Sequence, residues 1–183
     1  MGIYINPVIY NSRPDPQTRR LEKENRTYDL LEKLGVAFCR IDHDATGSIE
    51  DCHEVDKLLQ IKICKNLFLC NAQKTRFYLL MLPGDKVFKT KVISAQIGSS
   101  RLSFAPSEYM EKYLDITPGS VSVLGLMNDT QGMIQLLIDQ DVLKEDYFGC
   151  HPCINTSSLR IKTADLLDTI LPYIKHEPVL VEL

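Results

Sequence analysis

No run of apolar residues in this chain is long enough to span a bilayer, which argues against a helical membrane anchor. The opening Met1-Gly2-Ile3-Tyr4 lacks a charged stretch followed by an apolar one, so no signal peptide is evident. Gly2 invites a myristoylation reading, but Asn6 stands where Ser or Thr is needed. Neither charge sign dominates. Lys and Arg number 21 and Asp and Glu 24, and a net charge of −3 speaks against coating nucleic acid through bulk charge. It leaves open a local contact with an RNA end. A P-loop, a Gly-rich dinucleotide fingerprint and a Ser nucleophile elbow are all missing. So are internal repeats and low-complexity tracts. Cytoplasmic residence is the default expectation, and the six cysteines are then mostly reduced thiols.

What is present suits one globular domain. A chain of 183 residues can bury roughly 70% of its unfolded surface without disulfides. Residues 1–15, broken by Pro7 and Pro14, read as an irregular arm, and residues 16–183 as the domain. Leu21, Tyr28, Leu31 and Leu34 recur at near-helical spacing and predict a helix over 18–34 capped by Gly35. A strand is expected over 36–41, then a helix over 48–59 with Ser48 as N-cap and Asp51 in the capping-box position. The apolar runs 66–70 and 76–82 flank a polar turn and predict a hairpin of central strands. Short helices are expected over 89–97 and 106–114, with Pro106 in the first turn. Strands are expected over 121–126, 133–139 and 158–161, and Tyr147-Phe148 is strand-like. A last helix over 163–173 takes Thr163 as N-cap, and 178–183 adds an edge strand. The fold class is α+β: a single domain whose mixed, mostly antiparallel β-sheet, or partly open barrel, is packed with helices.

Two short segments invite chemistry. Lys65 stands at the mouth of an apolar strand, where its ammonium can lie over a cleft while its stem packs below. It could bind an anion, hold a carbonyl oxygen or, if desolvated, lose its proton. The plain alternative is a solvated surface charge. In Gly149-Cys150-His151-Pro152, Pro152 pushes His151 toward an extended conformation and Gly149 permits unusual dihedrals and close approach of a ligand. Such a turn can aim N–H groups into a pocket, and Asn155 could pin it. The plain alternative is an ordinary polar turn. Cys150 and Cys153, with His151 between them, also raise a thiol pair or zinc. Zinc needs a second ligand pair, for which Cys52-His53 is a poor source. A Cys150–His151 nucleophile pair suffers because neighbours rarely face each other correctly.

Lys65-Asn66-Leu67-Phe68-Leu69, then Pro118-Gly119-Ser120-Val121, then Gly149-Cys150-His151-Pro152 with Asn155, stand in the order of a known family. The chain resembles the YbaK/ProX proteins, relatives of the editing domain inserted in bacterial prolyl-tRNA synthetases, and within them the freestanding ProX branch. The resemblance covers roughly residues 27–182. It implies hydrolysis of the ester joining a wrong amino acid to tRNA(Pro): alanine in the ProX branch, cysteine in the YbaK branch. It implies that Lys65 orients the tRNA 3′ end and that the 149–152 loop binds the aminoacyl group and positions the attacking water. Lys65, His151 and Gly149 are then the catalytic candidates. Asn66, Cys150, Pro152, Asn155 and Ser120 are the substrate-binding ones. No metal or organic cofactor is implied. The implied partners are the aminoacylated 3′ end of tRNA(Pro) and a prolyl-tRNA synthetase or elongation factor, with no membrane and no DNA.

Three positions depart from the family pattern. Asn71 stands where an acid is frequent, 60–64 lacks an expected glycine, and Ser158 stands where a threonine is usual. These bear on amino-acid choice more than on fold. Competing expectations are a deacylase for Cys- or Ser-charged tRNA, and a non-catalytic module that binds aminoacyl groups or a synthetase.

Overall fold

The structure is a computed structural model that describes residues 3–45 and 49–183, with side chains described from His53 onward in the second stretch. The expected caps Ser48 and Asp51 lie outside the described side chains. Helix α1 spans Glu22–Lys33, with Glu22 and Glu24 in its first turn and Lys33 in its last, matching the helix dipole. Gly35 follows at φ +66°, and the N–H of Val36 reaches back to the Leu31 carbonyl at 2.9 Å. This is a Schellman stop, which needs a residue free of Cβ strain.

Among the described residues, eight strands form two sheets. β1 (Phe38–Asp42), β7 (Ser157–Lys162) and β6 (Tyr147–Cys150) make an antiparallel sheet in the order β1-β7-β6. The larger sheet runs β4-β2-β3-β5-β8. Here β2 (Cys64–Cys70) and β3 (Phe77–Pro83) form the expected hairpin, and β4 (Ser103–Phe104) pairs with the end of β2. β5 (Ile134–Asp139) and β8 (Val179–Val181) add in parallel. The arrangement is α+β and does not close into a barrel. The two sheets meet at an isolated parallel bridge, Ile63 to Gly149.

The main core lies between the sheets. Phe68, Met81 and Ile138 from the larger sheet meet Phe148, Leu159 and Ile161 from the smaller, with Tyr28 and Leu31 of α1. The other face of the larger sheet packs Leu69, Leu80 and Leu82 under Ile93 of α3 (Thr90–Gln96). Both faces of the hairpin are thus covered, which is why its residues are nearly all apolar. Helix α2 (Ile49–Leu59) packs Val55 and Leu59 against Ile41. Residues 5–10 lie antiparallel along the edge of β1 not used by β7, through Tyr10–Arg40 backbone bonds of 2.7 and 2.9 Å. Arg40 also sits over the Tyr10 ring, 4.4 Å from its centroid.

Four expectations differ from what the structure shows. The strand expected over 121–126 is a 3-10 helix, Val123–Asn128, capped by the Ser122 hydroxyl accepting from the Leu124 N–H. Its apolar residues are buried on all sides, so alternation was uninformative. The helix expected over 163–173 is instead α5 (Thr163–Asp165), a π-helical turn (Leu166–Ile170) and α6 (Leu171–Ile174). Pro172 lacks the N–H that a regular ladder needs, and the wider turn lies just before it. Lys162, not Thr163, is the N-cap residue; the Thr163 hydroxyl donates to the Glu145 carbonyl at 2.6 Å. Pro106 is likewise the N-cap of α4 (Ser107–Leu114), one residue outside the turn.

Candidate functional site

The loop 151–156 closes the β6–β7 hairpin, with Cys150 opposite Leu159. Cys153 carries its reversal at φ +62°, a left-handed conformation uncommon for a residue with a Cβ. Gly149 is not the flexible point expected of it. It has no positive φ and lies within β6. A Cβ there would stand 2.3 Å from Ile61 Cδ1 and 3.7 Å from Ile63 Cα, so the close approach it permits is that of the chain's own strand. Its N–H donates to the Cys64 sulfur.

His151 follows at the mouth, partly buried. Its Nδ1 is 2.8 Å from the Ser157 carbonyl, which can only accept, so Nδ1 carries the proton and Nε2 keeps the lone pair. Burial lowers its pKa to about 4, and the neighbouring His43 adds to the shift, so the ring is neutral at pH 7. His43 lies 6.1 Å away, centroid to centroid. It is held the same way: Nδ1 donates to the Asp44 carbonyl at 2.8 Å. Its Nε2 therefore accepts from the Ser158 hydroxyl at 2.9 Å, and Ser158 Oγ is 3.5 Å from His151 Nδ1. Burial lowers the His43 pKa too, against the opposing pull of the Asp44 carbonyl and the Asp42 and Asp44 charges. The two rings form one neutral, directional network through Ser158.

The second segment arrives from the opposite side. Gly119, at φ +88°, packs against Asn155, whose Nδ2 would be 3.6 Å from a Cβ there. Ser120 is buried and its N–H bonds the Thr117 carbonyl at 3.1 Å. Ser122 bonds the Cys150 side chain. Thus Ser120, Cys150, His151, Pro152 and Asn155 share one neighbourhood. Burial raises the Cys150 pKa well above the thiol range and pushes Cys153 up to about 11. Neither thiol supplies thiolate at neutral pH, which removes the basis for a thiol nucleophile or redox pair.

The strand-mouth pair divides. Successive residues of β2 face opposite sides of the sheet. Asn66 shares the face of Cys64 and Phe68, toward the loop, whereas Lys65 shares the face of Leu67 and Leu69. Lys65 Nζ donates to the Lys86 carbonyl at 2.9 Å. Asn66 Nδ2 donates to the Cys64 carbonyl at 3.3 Å, while its buried Oδ1 has no partner among the described residues. The structure therefore puts Asn66 on the face of β2 that meets the main core and Lys65 on the other. Asn71 has a structural use: its Oδ1 accepts from the N–H groups of Thr75 and Arg76, at 2.8 and 3.1 Å, and closes the β2–β3 turn. Sequence reasoning missed His43 as a site neighbour. It lies 108 positions from His151, and only the pairing of β1 with β7 brings the two together.

The family model for the aminoacyl-tRNA editing domain matches residues 43–169, from His43 into the π-helical turn. The prolyl-tRNA editing protein ProX of Acetoanaerobium sticklandii is 31% identical over 136 residues, covering 74% of this chain and 83% of that protein. Prolyl-tRNA synthetase associated domain-containing protein 1 of Danio rerio is 26% identical over 154 residues, 83% of each chain. A solved structure of a candidate trans-editing enzyme for prolyl tRNA synthetase superposes with a TM-score of 0.66 at 13% identity, over 90% of this chain and 99% of that one. Fold and relatives are those of an editing hydrolase, an aminoacyl-tRNA deacylase. The chain belongs to the aminoacyl-tRNA editing domain family.

Proposed function

We propose that this protein is a trans-editing deacylase that hydrolyses the ester of mischarged tRNA(Pro), with Ala-tRNA(Pro) its substrate. Residues 16–183 form the editing domain and 1–15 an arm. The observation that carries the reading is the neutral His151, its proton fixed on Nδ1 by the Ser157 carbonyl and its Nε2 lone pair available. An aminoacyl ester is already activated, so a positioned water and donors for the developing oxyanion suffice. His151 Nε2 accepts a hydrogen bond from that water. With a pKa of about 4 it is a weak base and acts by orientation. Water adds to the ester carbonyl, the backbone N–H groups of the 151–155 loop hold the oxyanion, and the intermediate collapses to free amino acid and the ribose hydroxyl. The water's proton passes to the leaving ribose oxygen, with the neighbouring ribose hydroxyl as relay. Asn66 Oδ1, without a partner among the described residues, suits the substrate's ammonium. Lys65 acts from the other face of β2 on the phosphates of the 3′ end. Ser120, Cys150, Pro152 and Asn155 shape the aminoacyl pocket. Rejection of proline is steric, by overlap of its ring where a methyl group fits.

The relatives named for prolyl-tRNA editing and for a prolyl-tRNA synthetase associated domain support tRNA(Pro) as the carrier. They also support the synthetase as an assembly partner. The test is a deacylation panel: tRNA(Pro) charged with alanine, cysteine, serine or proline, without added metal, using wild type and Lys65→Ala. Alanine release, lost in the variant, is expected. Preference for cysteine or serine would overturn the amino-acid assignment. Saturable binding without turnover would make the protein a binding module.

A further inference from the structure

Charge is unevenly distributed along the chain. Residues 62–107 hold eight Lys and Arg against one acid, Asp85, within a chain of net charge −3. The fold gathers this segment on the outer side of the larger sheet. The stretch from Val87 to Phe104 crosses that face, anchored by Ile93 and Leu102 in the second core. The β2–β3 turn joins the same surface, where the Ala72 N–H donates to Ser100 Oγ at 3.3 Å. Lys74, Arg76, Lys89, Lys91 and Arg101 are exposed there. Among the described residues none of the five takes part in an ion pair, whereas Arg13, Arg20, Arg26 and Arg40 each pair with a carboxylate elsewhere. Apolar groups stand between these cations. Phe104 is 66% exposed on the short edge strand, its ring 6.1 Å from that of Phe88, and Val87 is 70% exposed.

Unpaired cations around an exposed ring make a surface suited to single-stranded nucleic acid, phosphates meeting the cations and a base stacking on the ring. Lys65 lies on this same face of β2, two residues from Ile63, which bridges to Gly149 of β6, just before the site loop. The surface thus leads to the strand mouth. We infer that it is the docking face for the acceptor end of the RNA, with Lys89, Lys91 and Arg101 on phosphates and Phe104 under a base. The inference rests on the proposed aminoacyl-tRNA substrate.

Three measurements separate the two ideas. Uncharged tRNA(Pro) binding is followed by fluorescence anisotropy across a salt series. Ala-tRNA(Pro) hydrolysis is measured as kcat and KM. Hydrolysis of 3′-O-alanyl-adenosine reports the site without the tRNA body. The variants are the triple Lys89→Glu, Lys91→Glu, Arg101→Glu and, separately, Phe104→Ala. In the triple variant the tRNA salt slope is expected to fall by about 2–3, at 0.7–0.9 per lost phosphate contact. The KM for Ala-tRNA(Pro) is expected to rise about tenfold or more, with kcat and nucleoside-ester hydrolysis unchanged. Phe104→Ala should weaken binding with its salt slope intact. Unchanged tRNA binding in both variants would overturn the inference, as would an equal loss of nucleoside-ester hydrolysis. So would wild-type binding to phosphatidylserine vesicles with none to tRNA. A wild type that binds tRNA in this manner but hydrolyses neither ester leaves the docking face standing and refutes the deacylase reading.

Discussion

His151 gives the sharpest physical prediction, because its environment works against its charge. In the folded chain its pKa is about 4, and in the unfolded chain it returns to 6.5. The unfolded state therefore binds the proton more tightly, and stability must fall as the pH drops through that interval. At 1.36 kcal/mol per unit, the full difference corresponds to about 3 kcal/mol. By pH 4.5 the two titration curves give a loss of about 2 kcal/mol relative to pH 7. His151→Gln cannot titrate. The assay is urea unfolding followed by far-UV circular dichroism, on wild type and variant, at several pH values between 7.5 and 4.5. His43, whose pKa is also lowered, contributes in the same direction but is present in both proteins, so the difference between the curves isolates His151. Wild type should lose about 2 kcal/mol more than the variant across the range. Parallel curves would refute the neutral, buried imidazole and with it the fixed Nε2 lone pair.

Other expectations follow from single contacts. Gly149→Ala forces a Cβ to within 2.3 Å of Ile61 Cδ1 and should cost about 1–3 kcal/mol, read as a lowered melting temperature; adding Ile61→Ala should recover part of it. Asp139 is fully buried, with Oδ1 2.8 Å from Lys86 Nζ and Oδ2 3.1 Å from the Leu183 N–H. Asp139→Ala should cost about 1–3 kcal/mol in chemical denaturation, because it leaves the Asp141 and Leu183 N–H groups without their acceptor, while Lys86 keeps its pair with Asp141 at 2.7 Å. Cys70, Cys150 and Cys153 are buried, and should resist Ellman's reagent at pH 8 until the protein unfolds; rapid modification of the native protein would contradict their burial.

The hairpin of β2 and β3 was legible because two apolar runs flank a turn that only polar residues could make, and Asn71 makes it with its own amide. Helix α1 was legible from its spacing and from Gly35. The 3-10 helix at 123–128 was not: Gly125 lies so close to Ile116 that a Cβ there would be 2.4 Å from its Cδ1. Such tightness is a tertiary fact that leaves no periodicity. The candidate site divided in the same way. The residues of the 149–155 loop are neighbours in sequence and stayed together. Lys65 and Asn66 are also neighbours, yet strand alternation sends them to opposite faces. His43 and Ser158 joined the site only through strand pairing, which a single sequence does not display.

The Ile63–Gly149 bridge has one more implication. It sets the site loop at the seam where the two sheets close over their shared core, so that a shift of one sheet against the other moves the loop. Distant core substitutions that tilt a sheet would then dull the enzyme while leaving it folded.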